Sequence, residues 1–276
     1  MTDTPDSLHW RSLLFVPGSR PDRFAKAAGA ETDLVCIDLE DAVAPGDKDA
    51  AREATLAYLA STKDRDRLLG LRVNAVGTEA GRKDFDAIAG AAGIDFVMVP
   101  KPSGADDISV VHEAYGHNRI IAVLESARGI QNVEAIADHP GVVAAIYGAI
   151  DLAADIGCDL SWEAHLYGRS RCALAFGAAR KKLFDVPYLD VRDEEGLIES
   201  TRRAKKLGIY ARAAIHPAQL AGIHKALAPT DEEVQYAERV MAAYEASDTG
   251  LTLLDGKMVE LPVIKSAQRI LAAARH

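Results

Sequence analysis

Residues 120–151 read IIAVLESARGIQNVEAIADHPGVVAAIYGAID. An apolar run over 120–125 ends on an acid, Glu125. An Ala-rich segment over 128–138 carries helical spacing, and a second apolar run over 142–147 leads into Gly148-Ala149-Ile150-Asp151. Strand, helical segment and strand in this order make a βαβ unit, whose crossover leaves its two strands parallel. Uninterrupted apolar runs suit strands covered on both faces.

The same pattern extends in both directions. Apolar runs at 12–16, 34–39, 68–74, 96–100, 120–125, 142–147, 188–191 and 211–215 read as strands. Segments at 20–30, 48–62, 79–92, 105–116, 128–138, 161–182, 194–207 and 217–227 read as helices. Eight βα units in about 220 residues suit a closed (β/α)₈ TIM barrel, with a doubly wound open sheet as the alternative. The run at 188–191 is the weakest of the eight, being short and preceded by Pro187. The barrel is assigned to 11–228. Residues 229–276 form a C-terminal helix–hairpin–helix appendage in the same domain unit, either a lid or an arm onto a neighbouring subunit. Thr230 and Glu233 make a capping box for its first helix. Asp255-Gly256, between the apolar ends of LTLLDGKMVEL, signals a tight hairpin.

Composition bounds the function. With 49% hydrophobic and 26% charged residues the chain reads as an ordinary soluble globular protein. A net charge of −9 and the lack of any Lys/Arg tract argue against nucleic acid as a partner. No apolar stretch reaches the ~18 residues of a membrane helix, which argues against a membrane partner. The N-terminal MTDTPDSLHWRS lacks the apolar core of a signal peptide. Three cysteines without metal-ligand spacing (Cys36, Cys158 and Cys172) suit a reducing cytoplasm, and Cys36 reads as a core residue.

A parallel barrel carries its active site at the C-terminal ends of its strands. There the sequence places Asp38, Glu40, Asp41, Arg72, Asn74, Lys101, Glu125, Asp151 and His216. Glu125 and Asp151, 26 residues apart, come from adjacent strands. Two hard oxygen ligands with room for water and substrate suit Mg²⁺, and the absence of His or Cys beside them disfavours zinc. The competing reading is that each caps a turn or pairs with Arg72 or Lys101. Arg72 is either a carboxylate or oxyanion clamp or the ion-pair partner of Asp38 and Glu40. Asp38 and Glu40 share a strand face and take a supporting role. Lys101, between two prolines, suits a salt bridge or an anion contact better than a Schiff base. His216 reads as a turn residue, Gly18-Ser19-Arg20 as a weak anion-binding turn, and Asp255, by spacing alone, as turn chemistry.

Taken as a set, these residues resemble a known family. LFVPGSRP at 14–21, IDLEDAV at 37–43, Lys48, Ala51-Arg52, LRVN at 71–74, VPK at 99–101, ESARG at 125–129, GAIDL at 148–152 and IHPAQ at 215–219 resemble the citrate lyase beta-subunit-like family of the HpcH/HpaI aldolase group. The match runs in order from about residue 11 to the C-terminus. The resemblance implies a (β/α)₈ barrel, dependence on Mg²⁺ with Mn²⁺ as the alternative ion, and a homotrimer or homohexamer. It implies that Glu125 and Asp151 bind metal, that Arg72 binds substrate and that Glu125 contacts it, and it raises Asp255 to a catalytic acid reaching in from a neighbouring subunit. The implied activity is a carbon–carbon lyase acting on a 3-hydroxyacyl-CoA (malyl-, citramalyl- or citryl-CoA), with an acyl-CoA and a 2-oxo acid as the small-molecule partners. A citryl carrier-protein lyase subunit and a class II aldolase for free 2-oxo acids are the alternatives.

Overall fold

The computed structural model describes residues 9–62, 66–246 and 252–274. The N-terminal segment read for a signal peptide falls largely on residues 1–8, outside the described residues. Eight parallel strands close into a barrel: β1 (Ser12–Pro17), β2 (Leu34–Asp38), β3 (Leu68–Arg72), β4 (Phe96–Val99), β5 (Ile120–Leu124), β6 (Val142–Tyr147), β7 (Lys182–Asp185) and β8 (Ala211–Ala214). Each strand pairs with the next, and β8 returns to β1 through the Leu13–Ala213 register. Closure leaves no sheet edge within the barrel.

Helices follow the strands: α1 (Phe24–Ala28), α2 (Lys48–Ser61), α3 (Glu79–Ile88), α4 (Ala105–Tyr115), α5 (Ala127–Gln131), α6 (Val133–Asp138), α7 (Ala149–Ile156), α8 (Trp162–Ala178), α9 (Glu194–Lys206) and α10 (Gln219–Leu227). The helix expected over 128–138 is two short helices meeting at Asn132, and an additional helix, α7, precedes α8. Among the described residues no helix is long and apolar enough to cross a membrane.

The seventh strand corrects the sequence reading. It lies at Lys182–Asp185, not at 188–191, and the helix expected to run to 182 ends at Ala178. Arg180 adopts the left-handed conformation, φ 55°. Arg180 N–H reaches Gly177 O and Lys181 N–H reaches Phe176 O, the two bonds of a Schellman stop. Such stops usually carry glycine, so an arginine hid this one. The apolar run after Pro187 is a loop, in which Asp190 Oδ1 accepts the Arg192 amide.

Side chains alternate along each strand. One set packs inside the barrel, among them Leu13, Cys36, Phe96, Met98, Ile121, Val123, Ile146 and Phe184. The Phe96 ring needs the space beside Gly70, where a Cβ would sit 2.3 Å from Phe96 O and 2.7 Å from the ring. Cys36 is fully buried, as its apolar context predicted. Followed to the strand ends, the inward alternation on β2, β3 and β5 arrives at Asp38, Arg72 and Glu125. The apolar filling thus gives way to charge at one end of the barrel.

The chain divides into two compact units, Met1–Ala226 and Leu227–His276. In the second, α11 (Asp231–Glu245) and α12 (Leu261–Ala273) pack with a hairpin of β9 (Thr252–Leu254) and β10 (Lys257–Val259) around Ala237, Val240, Val259, Ile264 and Ala267. The capping box is present: Glu233 N–H donates to Thr230 Oγ1, and Thr230 N–H donates to Glu233 Oε2. Asp255 (φ 50°) and Gly256 (φ 73°) form the two-residue turn, as a right-handed hairpin requires.

Candidate active site

Arg72 closes β3 and is gripped from the neighbouring strand end. Its Nε donates to Asp38 Oδ1 at 2.7 Å and its Nη2 to Asp38 Oδ2 at 2.6 Å, while Nη1 lies 2.9 Å from Glu40 Oε2. The guanidinium sits over the Phe15 ring, 5.3 Å from its centre. Asp38 also accepts the amides of Glu40 and Ala42, so the loop after β2 folds around it. Lys48 fastens that loop from behind through the carbonyls of Leu39 and Glu40. Burial opposes the charge of Arg72, but the bonds and charges of Asp38 and Glu40 outweigh it and raise its pKa.

Lys101 follows β4 in the left-handed conformation, φ 49°. Its backbone N–H donates to Glu125 Oε1 at 3.0 Å. Its ammonium donates to Glu40 Oε1 at 2.7 Å and lies 3.3 Å from Asp151 Oδ1 and 3.5 Å from Asp41 Oδ2. Glu125 follows β5 and is buried, 3% exposed. Gly148 makes room for it: a Cβ there would lie 2.9 Å from Glu125 Oε2. Burial, followed by the nearby charges of Glu40 and Asp151, pushes the Glu125 carboxyl up to about 8. Burial likewise raises Glu40. Asp151 stands in the first turn of α7, partly exposed.

Five carboxylates (Asp38, Glu40, Asp41, Glu125 and Asp151) face three cations (Lys48, Arg72 and Lys101). Among the described residues no three His, Cys, Asp or Glu side chains are arranged to cage a metal alone. Mg²⁺ is commonly held by one or two carboxylates, with water and substrate completing the shell. The donor set, hard carboxylates from the end of β5 and from the first turn of the helix after β6, fits such an ion.

The structure therefore brings Asp38, Glu40, Arg72, Lys101, Glu125 and Asp151 to one rim. Of the two readings of Arg72, the structure shows the ion pairing with Asp38 and Glu40. His216 is a turn residue whose Nδ1 accepts the Ala218 amide. Arg20 pairs with Asp22. Asp255 belongs to the second unit, where it is exposed and ion-pairs with Arg239.

One supporting set escaped the sequence reading. Asp84 on α3 is fully buried and accepts Arg52 Nε together with the Asn74 amide and side chain. This pins the chain two residues after Arg72. Only an acid on the buried face of an amphipathic helix could have signalled it.

A closed βα barrel with a charged mouth of acids, an arginine and a lysine defines the broad class of barrel enzymes whose chemistry sits at the strand C-termini. The family model for HpcH/HpaI aldolase/citrate lyase matches residues 11–217. The chain belongs to this family, whose members are enzymes of the aldolase and lyase type. It is 34% identical over 270 residues to a (3S)-malyl-CoA thioesterase of Cereibacter sphaeroides, covering 96% of this chain and 94% of that protein. It is 37% identical over 269 residues to a citrate lyase subunit beta-like protein of Mycobacterium tuberculosis, covering 95% and 94%. A crystal structure of the CitE protein of M. tuberculosis, in complex with magnesium, acetoacetate and coenzyme A, matches with a TM-score of 0.86 and 34% identity, covering 97% of this chain and 98% of that one.

Proposed function

We propose that the protein is a Mg²⁺-dependent carbon–carbon lyase that cleaves or forms a 3-hydroxyacyl-CoA of the malyl, citramalyl or citryl type, giving a 2-oxo acid and an acyl-CoA. The observation carrying this reading is the rim itself: Glu125, just after β5, and Asp151, in the first turn of α7 after β6, both in contact with Lys101. Complexes of M. tuberculosis CitE support it, one holding magnesium with pyruvate, a 2-oxo acid, and another holding magnesium with coenzyme A.

In this reading Glu125 and Asp151 hold Mg²⁺, with Mn²⁺ as a substitute. When bound, the ion supplies Lewis acidity and a template for the carboxylate and adjacent oxygen of the acid portion. Arg72, kept in place by Asp38 and Glu40, directs positive charge at the oxygen where negative charge develops as the carbon–carbon bond breaks. Lys101 contacts the substrate carboxylate, and Glu125 also borders the substrate. A base takes the hydroxyl proton as the carbon–carbon bond breaks into the 2-oxo acid and the acyl-CoA enolate, and Asp255, from the 229–276 appendage of a neighbouring subunit, supplies the proton that quenches that enolate. The reading includes a homotrimer or homohexamer, the assembly a shared Asp255 would need, acting in the cytoplasm.

The relative named as a (3S)-malyl-CoA thioesterase favours a second reading, hydrolysis of the thioester. One experiment separates the two. A panel of malyl-, citramalyl- and citryl-CoA is incubated with and without Mg²⁺, and the products are resolved by mass spectrometry. A 2-oxo acid plus an acyl-CoA, formed only with the metal, is the expected result. Free coenzyme A with an intact hydroxy acid would favour hydrolysis. Turnover only of a carrier-protein thioester would favour a subunit role, and turnover only of free 2-oxo acids an aldolase. No turnover of any thioester sinks the proposal.

A further inference from the structure

Lys101 touches both proposed metal ligands, each with a different part of itself. Its backbone N–H holds Glu125 Oε1 at 3.0 Å, and its ammonium lies 3.3 Å from Asp151 Oδ1. Its backbone is held in a costly shape. A left-handed φ of 49° is uncommon for a residue with a side chain, and the following Pro102 further restricts the residue before it. Strain of this kind persists where the surroundings impose it, and it clusters at functional sites.

The ammonium has one firm anchor and one loose contact. It is bonded to Glu40 Oε1 at 2.7 Å, while Glu40 Oε2 faces Arg72 Nη1 at 2.9 Å as an ion pair without a hydrogen bond. Its approach to Asp151 is longer, and its side chain is one-third exposed. A Mg²⁺ ligated by Asp151 would sit about 2.0–2.1 Å from a carboxylate oxygen. An ammonium so near the same carboxylate would be repelled. Lysine suits a cation that must yield, because its long stem moves a point charge without moving the backbone. Arg72, clamped through three nitrogens, has no such freedom.

We propose that the Lys101 ammonium is the resident counter-cation of the metal-free site. It holds Asp151 beside Glu40 until a divalent ion takes Asp151 and Glu125. Freed from Asp151 but still anchored on Glu40, it is then the cation open to the substrate carboxylate. Metal binding therefore precedes and enables capture of the acid. This inference rests on the metal reading given above for Glu125 and Asp151.

The test measures binding, not turnover. Mg²⁺ is titrated calorimetrically into wild type, K101M, K101R and K101G, and the metal-free melting of each is recorded. K101G retains a left-handed backbone and its amide donor without the ammonium. The expected result is Mg²⁺ binding about fivefold tighter in K101M and K101G, the size of a modest coupling between two competing ligands. Their metal-free melting falls, and K101R stays near wild type. With Mg²⁺ saturating, pyruvate should bind K101M about tenfold more weakly than wild type, the loss of one charge-assisted hydrogen bond. Unchanged or weaker Mg²⁺ binding in both K101M and K101G overturns the counter-cation role. Equal pyruvate affinity overturns the hand-over to substrate. Failure of wild type to bind Mg²⁺ at all overturns the metal reading together with this one, and so is told apart from failure of Lys101 alone.

Discussion

Arg72 engages its partners through a planar fork, with two nitrogens on Asp38 and a third on Glu40. A lysine preserves the charge but cannot reproduce that geometry. Arg72→Lys should therefore lower kcat/KM on the thioester that wild type turns over by about 10²–10³-fold, as loss of one oriented transition-state donor does. Steady-state kinetics beside a circular dichroism spectrum checks this, and near-normal turnover would remove Arg72 from the mechanism. In the same assay Asp255→Asn should abolish most turnover, and retained activity would return Asp255 to turn chemistry. The rim acids and Arg72 were legible because they are polar residues ending apolar runs. Their mutual contacts were not, because a strand pattern tells which face a side chain takes and nothing about which oxygen it meets. Asp84 shows the limit: its partners Arg52 and Asn74 lie 32 and 10 residues away along the chain, and only the folded barrel joins them.

The join between α8 and β7 is where element-level reading failed. The helix stop rests on Arg180 in a conformation that glycine adopts freely, and β7 has only two apolar residues among its four. By contrast the capping box at Thr230 and the turn at Asp255-Gly256 were readable, since each depends on a local bond between residues close in sequence. The difference yields a prediction. Arg180→Gly should raise stability by about 1 kcal/mol, the cost of left-handed backbone for a residue with a Cβ. Urea unfolding followed by tryptophan fluorescence measures it, and a decrease would show that the arginine side chain contributes more than the backbone costs.

For the whole molecule, the alternation of eight strands with helices was visible because barrel strands are apolar throughout and helices keep one wet face. Stability should respond to pH through groups the fold buries. Burial lowers the pKa of His139, His165 and His224, so each binds protons less readily folded than unfolded. Their contribution is intact above about 6.5, the unfolded value, and is lost as pH falls below it. Glu125 acts in the opposite sense. With its carboxyl at about 8, the metal-free protein binds that proton more tightly folded and gains stability as pH drops through 8. Melting temperatures in chelator should therefore peak at about pH 6–7. Saturating Mg²⁺ should remove the decline on the alkaline side, and a monotonic profile in chelator would contradict this balance.

The closing of β8 onto β1 also sets a timetable. The charged rim is incomplete as a ring until Ala211–Ala214 has left the ribosome and met Leu13 and its neighbours. The residues of the second unit, Leu227–His276, are added after those of β8. At about 5–20 residues per second their synthesis takes a few seconds to ten, far longer than local collapse requires. The residues that close the barrel are thus all made before those of the second unit.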